Sequence, residues 1–132
     1  MIVVDASVVI ELVLNLPSAS AIHEKIFVRG HELHAPHLLD IEVMQVIRRY
    51  ARAGRVDTNR GLEAVRQLTE FPVTRYPHTD ALLQRVWALR HNLTAYDAVY
   101  VALAEALDAP LVTCDRFLAS APGHDAHVEL VG

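Results

Sequence analysis

The chain has 132 residues, with 12 Lys and Arg against 16 Asp and Glu, a formal net charge of −4, 52 % apolar residues and 21 % charged ones. That length suits one domain spanning 1–132, burying about two-thirds of its unfolded surface, and the composition excludes a disordered chain. The lone Cys114 excludes an internal disulfide, the start Met1-Ile2-Val3-Val4-Asp5 lacks the basic segment of a signal peptide, and no apolar run reaches membrane-spanning length; a cytoplasmic protein without a membrane partner is expected.

Short apolar runs alternate with longer helical patterns. Residues 2–4 read as a buried strand ending at Asp5, and residues 7–16 as a helix stopped by Pro17. A second helix is predicted over 18–29, with Ser18 as N-cap and Gly30 as stop. Residues 32–35 form a strand, and Pro36 suits the first turn of a helix over 37–53 that ends at Gly54. Further helices are predicted over 58–69 (capped by Thr58), 79–90 and 94–107. Strands are predicted over 71–76, 111–114 and 127–131, with a helical turn at 116–120. Strands separated by helices imply a three-layer α/β/α sandwich around a short parallel sheet. In such sheets ligands bind at the carboxyl ends of the strands.

Four carboxylates gather by this rule. Asp5 and Asp115 each end a strand and each could cap the following helix. If their strands are neighbours, the two acids face each other. Glu42 sits among Leu38, Leu39 and Val46 on its helix, either snorkelling from an apolar stripe or held there by a compensating partner. Asp97 follows Thr94 by three residues, which fits a capping box or a carboxylate aimed at the same sheet edge. Several acids in one cleft cannot all stay ionised without a cation, and oxygen-only donors suit Mg2+ or Mn2+. Such a metal activates water and stabilises in-line phosphoryl displacement, so the chemistry implied is phosphodiester hydrolysis.

The segments Ile2-Val3-Val4-Asp5-Ala6-Ser7, Glu42 in the third helix, Thr94-Ala95-Tyr96-Asp97-Ala98-Val99-Tyr100-Val101-Ala102-Leu103-Ala104 and Leu111-Val112-Thr113-Cys114-Asp115 resemble, in order and spacing, PIN-domain ribonucleases of the VapC toxin type. The resemblance implies a PIN-like domain and a Mg2+-dependent (or Mn2+-dependent) endoribonuclease, the toxin of a type II toxin–antitoxin system. It implies that Asp5, Glu42, Asp97 and Asp115 are the catalytic, metal-binding acids, Asp5 and Asp97 foremost, with Ser7 and Thr113 orienting carboxylates or water. It also implies a homodimer and a cognate antitoxin, which the spare apolar content would suit.

Other features carry less. His31, His34 and His37 straddle a strand and a proline, share no helical face, and read as solvent-exposed polar positions rather than a zinc site. Cys114 reads as packing. Arg48, Arg49, Arg52 and Arg55 form a basic helix end that either complements the dipole or contacts RNA phosphates, and Arg116 is a further candidate. Rival readings are a non-catalytic PIN-like RNA-binding module, a phospho-accepting receiver domain and a haloacid-dehalogenase-like phosphatase. The receiver lacks its lysine at the end of the last strand, since Lys25 is the only lysine. The phosphatase lacks its second acid, since Ser7 stands there.

Overall fold

A computed structural model describes residues 1–132. Five strands, β1 (Ile2–Val4), β2 (Leu33–Pro36), β3 (Val73–Tyr76), β4 (Leu111–Thr113) and β5 (Val128–Leu130), form one parallel sheet in the order β3-β2-β1-β4-β5. Seven helices fill the connections: α1 (Ala6–Val13), α2 (Ala19–His23), α3 (Leu38–Arg52), α4 (Thr58–Thr69), α5 (Asp80–Ala88), α6 (Ala95–Leu107) and α7 (Arg116–Ser120). The three central strands β1, β2 and β4 are buried at every residue. That is why they read as continuous apolar runs instead of alternating ones.

The chain steps outward from β1 to β2 to β3, then returns past both to β4 and β5. Right-handed crossovers in opposite directions place their helices on opposite faces. Accordingly α1 packs against α2, α3 and α4, while α6 packs against α5 and lies across β1, β2 and β4. Residues 98 to 104 of α6 are all buried, so its Ala-rich sequence reflects a helix enclosed nearly all round. The direction reverses between β1 and β4. The carboxyl ends of those two strands are therefore the switch point where doubly wound sheets bind ligands.

Several local expectations shift. The helix predicted over 18–29 is α2 followed directly by a π-helical turn, Glu24–Val28, and the Ser18 side chain caps nothing because its backbone is already helical (φ −85°, ψ −1°). Pro36 is the last residue of β2, not part of a helical first turn. It pairs with Tyr76 beyond the point where β1 runs out, so its missing N–H leaves no ladder bond unmade. Asp57, extended at φ −79° and ψ 171°, caps α4 instead of Thr58, accepting from Arg60 N at 2.8 Å. His34 is buried, not exposed: it lies within β2, with its Nδ1 2.7 Å from the Tyr76 hydroxyl. Gly30 and Gly54 do end their helices, each at a φ above +70° that favours glycine.

Candidate active site

β1 and β4 pair in register Val3↔Leu111 and Val4↔Val112. Asp5 follows β1 directly, level with Thr113, and Asp115 lies two residues past it, so both acids stand at the same edge of the sheet. Both also cap helices. Asp5 Oδ1 accepts from Val8 N at 3.3 Å, and Asp115 Oδ1 accepts from Phe117 N at 2.8 Å. Capping and a place at the switch point thus coexist in both residues, because a short strand followed at once by a helix puts the cap on the sheet edge.

Asp5 is the anchored member. It is 6 % exposed. Ser7 Oγ donates to its Oδ1 and Thr113 Oγ1 to its Oδ2, both at 2.5 Å. The same hydroxyls accept from β4's end: Ser7 Oγ from Cys114 N at 2.9 Å, and Thr113 Oγ1 from Asp115 N at 3.0 Å. Each hydroxyl has one proton and spends it on Asp5. Ser7 and Thr113 thereby tie the two strand ends together through one carboxylate. Cys114 is half-buried and its thiol is pushed up to about 11 by desolvation, which leaves it a packing residue without thiolate character.

Glu42, one turn into α3, is half-buried, and Tyr100 Oη of α6 donates to its Oε1 at 2.6 Å. This bond links a helix of one layer to a helix of the other. Asp97, in the first turn of α6, differs: Thr94 Oγ1 accepts from Asp97 N at 3.2 Å, but no donor in the chain reaches the Asp97 carboxylate. The capping box is therefore only half made.

Burial raises the pKa of Asp5, Glu42 and Asp97 above the ordinary carboxylate range. Their mutual charges add to it: Asp97 acts on Asp5, Asp97 and Asp5 act on Glu42, and Asp115 acts on Asp97. For Asp5 the hydroxyl and backbone donors pull the other way. None of the six ion pairs involves any of the four acids. The chain thus concentrates four carboxylates and supplies no cation of its own, a donor set that fits a hard divalent metal. As they stand, the side chains are spread: no three His, Cys, Asp or Glu groups form a ready coordination cage. Arg48, Arg49, Arg52, Arg55 and Arg116 are all exposed. Arg55 stacks over Tyr50 at 4.1 Å, and the other four make no ion pair.

A cavity of about 760 Å³ lies elsewhere, lined by Leu82 and Arg85 of α5 and Leu103 and Glu105 of α6.

The PIN domain family model matches residues 2–123. Two curated Mycobacterium tuberculosis proteins are similar over nearly the whole chain. Ribonuclease VapC12 is 41% identical, covering 99% of both chains, and Ribonuclease VapC1 is 42% identical, covering 98% of this chain and 96% of its own. This chain belongs to the VapC family of PIN-domain proteins. Among solved structures, PAE2754 from Pyrobaculum aerophilum superposes with a TM-score of 0.68 at 28% identity, covering 96% of this chain and 81% of that one. VapBC2 from Rickettsia felis, solved on a promoter DNA fragment, superposes at 0.71 over 100% of both chains with 10% identity, a likeness of fold alone.

For this VapC-family chain, sequence reasoning assigned no role to Tyr100. The available signal was its spacing: three residues after Asp97, it lies on the same helical face. Its hydroxyl is the one polar atom on the buried stretch of α6, and a buried hydroxyl needs a partner. Which partner it takes is set by α3, remote in sequence.

Proposed function

We propose that this chain is a Mg2+-dependent (or Mn2+-dependent) endoribonuclease, the toxin of a toxin–antitoxin pair, that hydrolyses RNA phosphodiester bonds. The observation that carries the reading is four carboxylates without a protein cation at the β1/β4 switch point, in a chain about 41% identical to a named VapC ribonuclease. Asp5, Glu42, Asp97 and Asp115 would hold the metal. When bound, a divalent cation lowers the pKa of water and offsets charge on the phosphoryl oxygens.

The chain's own residues set up that chemistry. Ser7 and Thr113 hold both Asp5 oxygens in one orientation, and Tyr100 fixes one oxygen of Glu42 while leaving the other free. Asp97 keeps both oxygens unengaged. Arg48, Arg49, Arg52, Arg55 and Arg116 offer cations for phosphates further along the strand. In the same reading the protein acts in the cytoplasm, pairs as a homodimer and is neutralised by a cognate antitoxin. The similarly folded VapBC2, solved as a complex on DNA, supports the antitoxin.

Incubating purified protein with single-stranded RNA tests the proposal. Cleavage is expected with Mg2+, and none with EDTA or with Asp5→Ala or Asp97→Ala of unchanged circular dichroism. Cleavage that persists in EDTA would remove the metal from the reading. Full cleavage by either variant would remove the acids.

A further inference from the structure

The chain has eight Phe, Tyr and Trp residues, and six of them have an evident structural use. Phe27 packs against His23 and Phe71, Tyr76 against His34, and Tyr100 bonds Glu42. Tyr50 lies under Arg55 and Trp87 under Arg90. The remaining two, Tyr96 and Phe117, make no aromatic, cation–π or side-chain hydrogen-bond contact, and they are 62% and 87% exposed. Both flank the acidic edge. Tyr96 immediately precedes Asp97 in the first turn of α6. Phe117 follows Asp115 by two residues in α7, with its backbone N–H on the Asp115 carboxylate at 2.8 Å. Consecutive helical residues diverge by about 100°, so Tyr96 stands beside the Asp97 carboxylate rather than over it. Asp97 opens α6, which packs across β4, and Asp115 follows the end of β4, so both acids stand at the carboxyl edge of the sheet. The two rings therefore border one pair of neighbouring acids, with the exposed Arg116 between Asp115 and Phe117.

We propose that Tyr96 and Phe117 form an aromatic rim on which unpaired RNA bases stack beside the phosphate held at the acids, so that the site selects single-stranded segments. The inference rests on the ribonuclease reading above. Tyr96 and Phe117 are the two exposed rings whose faces no side chain covers and that border the acids, and a base offers its π-face only when it is unpaired. Stacking on an aromatic ring tolerates any base. The rim thus recognises strandedness, and Arg116 supplies a cation for the adjoining phosphate.

The test is steady-state cleavage of a single-stranded oligoribonucleotide and of the same RNA with abasic residues flanking its mapped cleavage site. Phe117→Ala and Tyr96→Ala are each expected to lower kcat/KM roughly 5- to 150-fold, the equivalent of about 1–3 kcal/mol for one stacked base, mainly through KM. Phe117→Trp and Tyr96→Phe should restore it, and Phe117→Leu should not. On abasic RNA the wild type should fall to the level of the alanine variants. Equal kinetics for Phe117→Leu and wild type, or an undiminished alanine effect on abasic RNA, would overturn the proposal. So would loss of concentration-dependent self-association in the variants with RNA affinity unchanged, which would assign the surface to a contact between copies. If wild type does not cleave at all, the ribonuclease reading fails, and binding of 2-aminopurine RNA in EDTA decides the rim separately. Fluorescence quenching that the double alanine variant loses supports stacking; equal quenching refutes it.

Discussion

Asp97 is the least supported of the four acids: half-buried, beside Asp115, and without a donor. Its raised pKa means that the folded, metal-free state pays for the ionised form. Stability contributed by this group falls as pH rises from the ordinary aspartate value through the raised one. Asp97→Asn removes that charge. In EDTA its thermal midpoint is expected to rise by about 1–4 °C, while cleavage disappears. Saturating Mg2+ should stabilise wild type by about 2.7 kcal/mol at a hundredfold excess over its Kd and leave the variant unmoved, which differential scanning fluorimetry reads. Thr113 tests the opposite kind of residue. Thr113→Val preserves shape but deprives Asp5 of a donor and the Asp115 N–H of its acceptor. Activity or Mg2+ affinity is expected to drop about 10- to 100-fold, measured by Mg2+ titration of cleavage.

At the scale of elements, α6 carries Asp97 and Tyr100, and a polar contact helps fix it to its neighbour. Arg85 of α5 donates from Nε and a terminal nitrogen to both oxygens of Glu105 at 2.8 Å, and Asp125 N adds a third bond at 2.9 Å. The Arg85 hydrogen bonds hold the Glu105 carboxyl below its ordinary range. Its stabilisation is therefore fully present above the usual glutamate value and is lost as pH falls through the lowered one. Glu105→Gln is expected to cost about 1.5–3 kcal/mol at neutral pH and to flatten the acid limb of a stability–pH curve measured by urea unfolding. An unchanged acid limb would show that the pair does not carry it. The order and type of these elements were legible from apolar periodicity. Their ends were less so: Asp57 caps α4 because its own backbone is extended where that of Thr58 is helical, and Pro36's place in β2 depends on where the neighbouring β1 stops.

For the whole molecule, net charge conceals the distribution that matters. Setting aside Asp5, Glu42, Asp97 and Asp115 leaves twelve acids against the twelve Lys and Arg. The mild acidity thus resides in one edge, and in the proposed reading a bound cation would turn that edge from repelling RNA to attracting phosphate. The basic end of α3 and the segment after it are the other half of this field. Replacing Arg48, Arg49, Arg52 and Arg55 together by Ala should reduce the slope of log affinity against log salt by about 0.7 for each phosphate contact removed. Fluorescence anisotropy over a salt series measures it, and an unchanged slope would return these residues to the role of a solvated helix end.

The four acids as candidates and the α/β alternation could be read in the sequence, because strand ends, helix starts and polar residues in apolar surroundings are local signals; Ser7 and Thr113 entered only through the resemblance to VapC-type proteins. That the strands leading to Asp5 and Asp115 are neighbours could not be read there: it follows from β4 pairing with β1 after a crossover past two strands. Nor could the Tyr100–Glu42 bond, the burial of His34, or the exposure of Tyr96 and Phe117. Periodicity says which side of an element is apolar, but only the packing of layers decides which apolar side is covered. Local spacing is enough to name the residues and the kind of chemistry they suit; which of them share an edge depends on strand order and not on spacing along the chain.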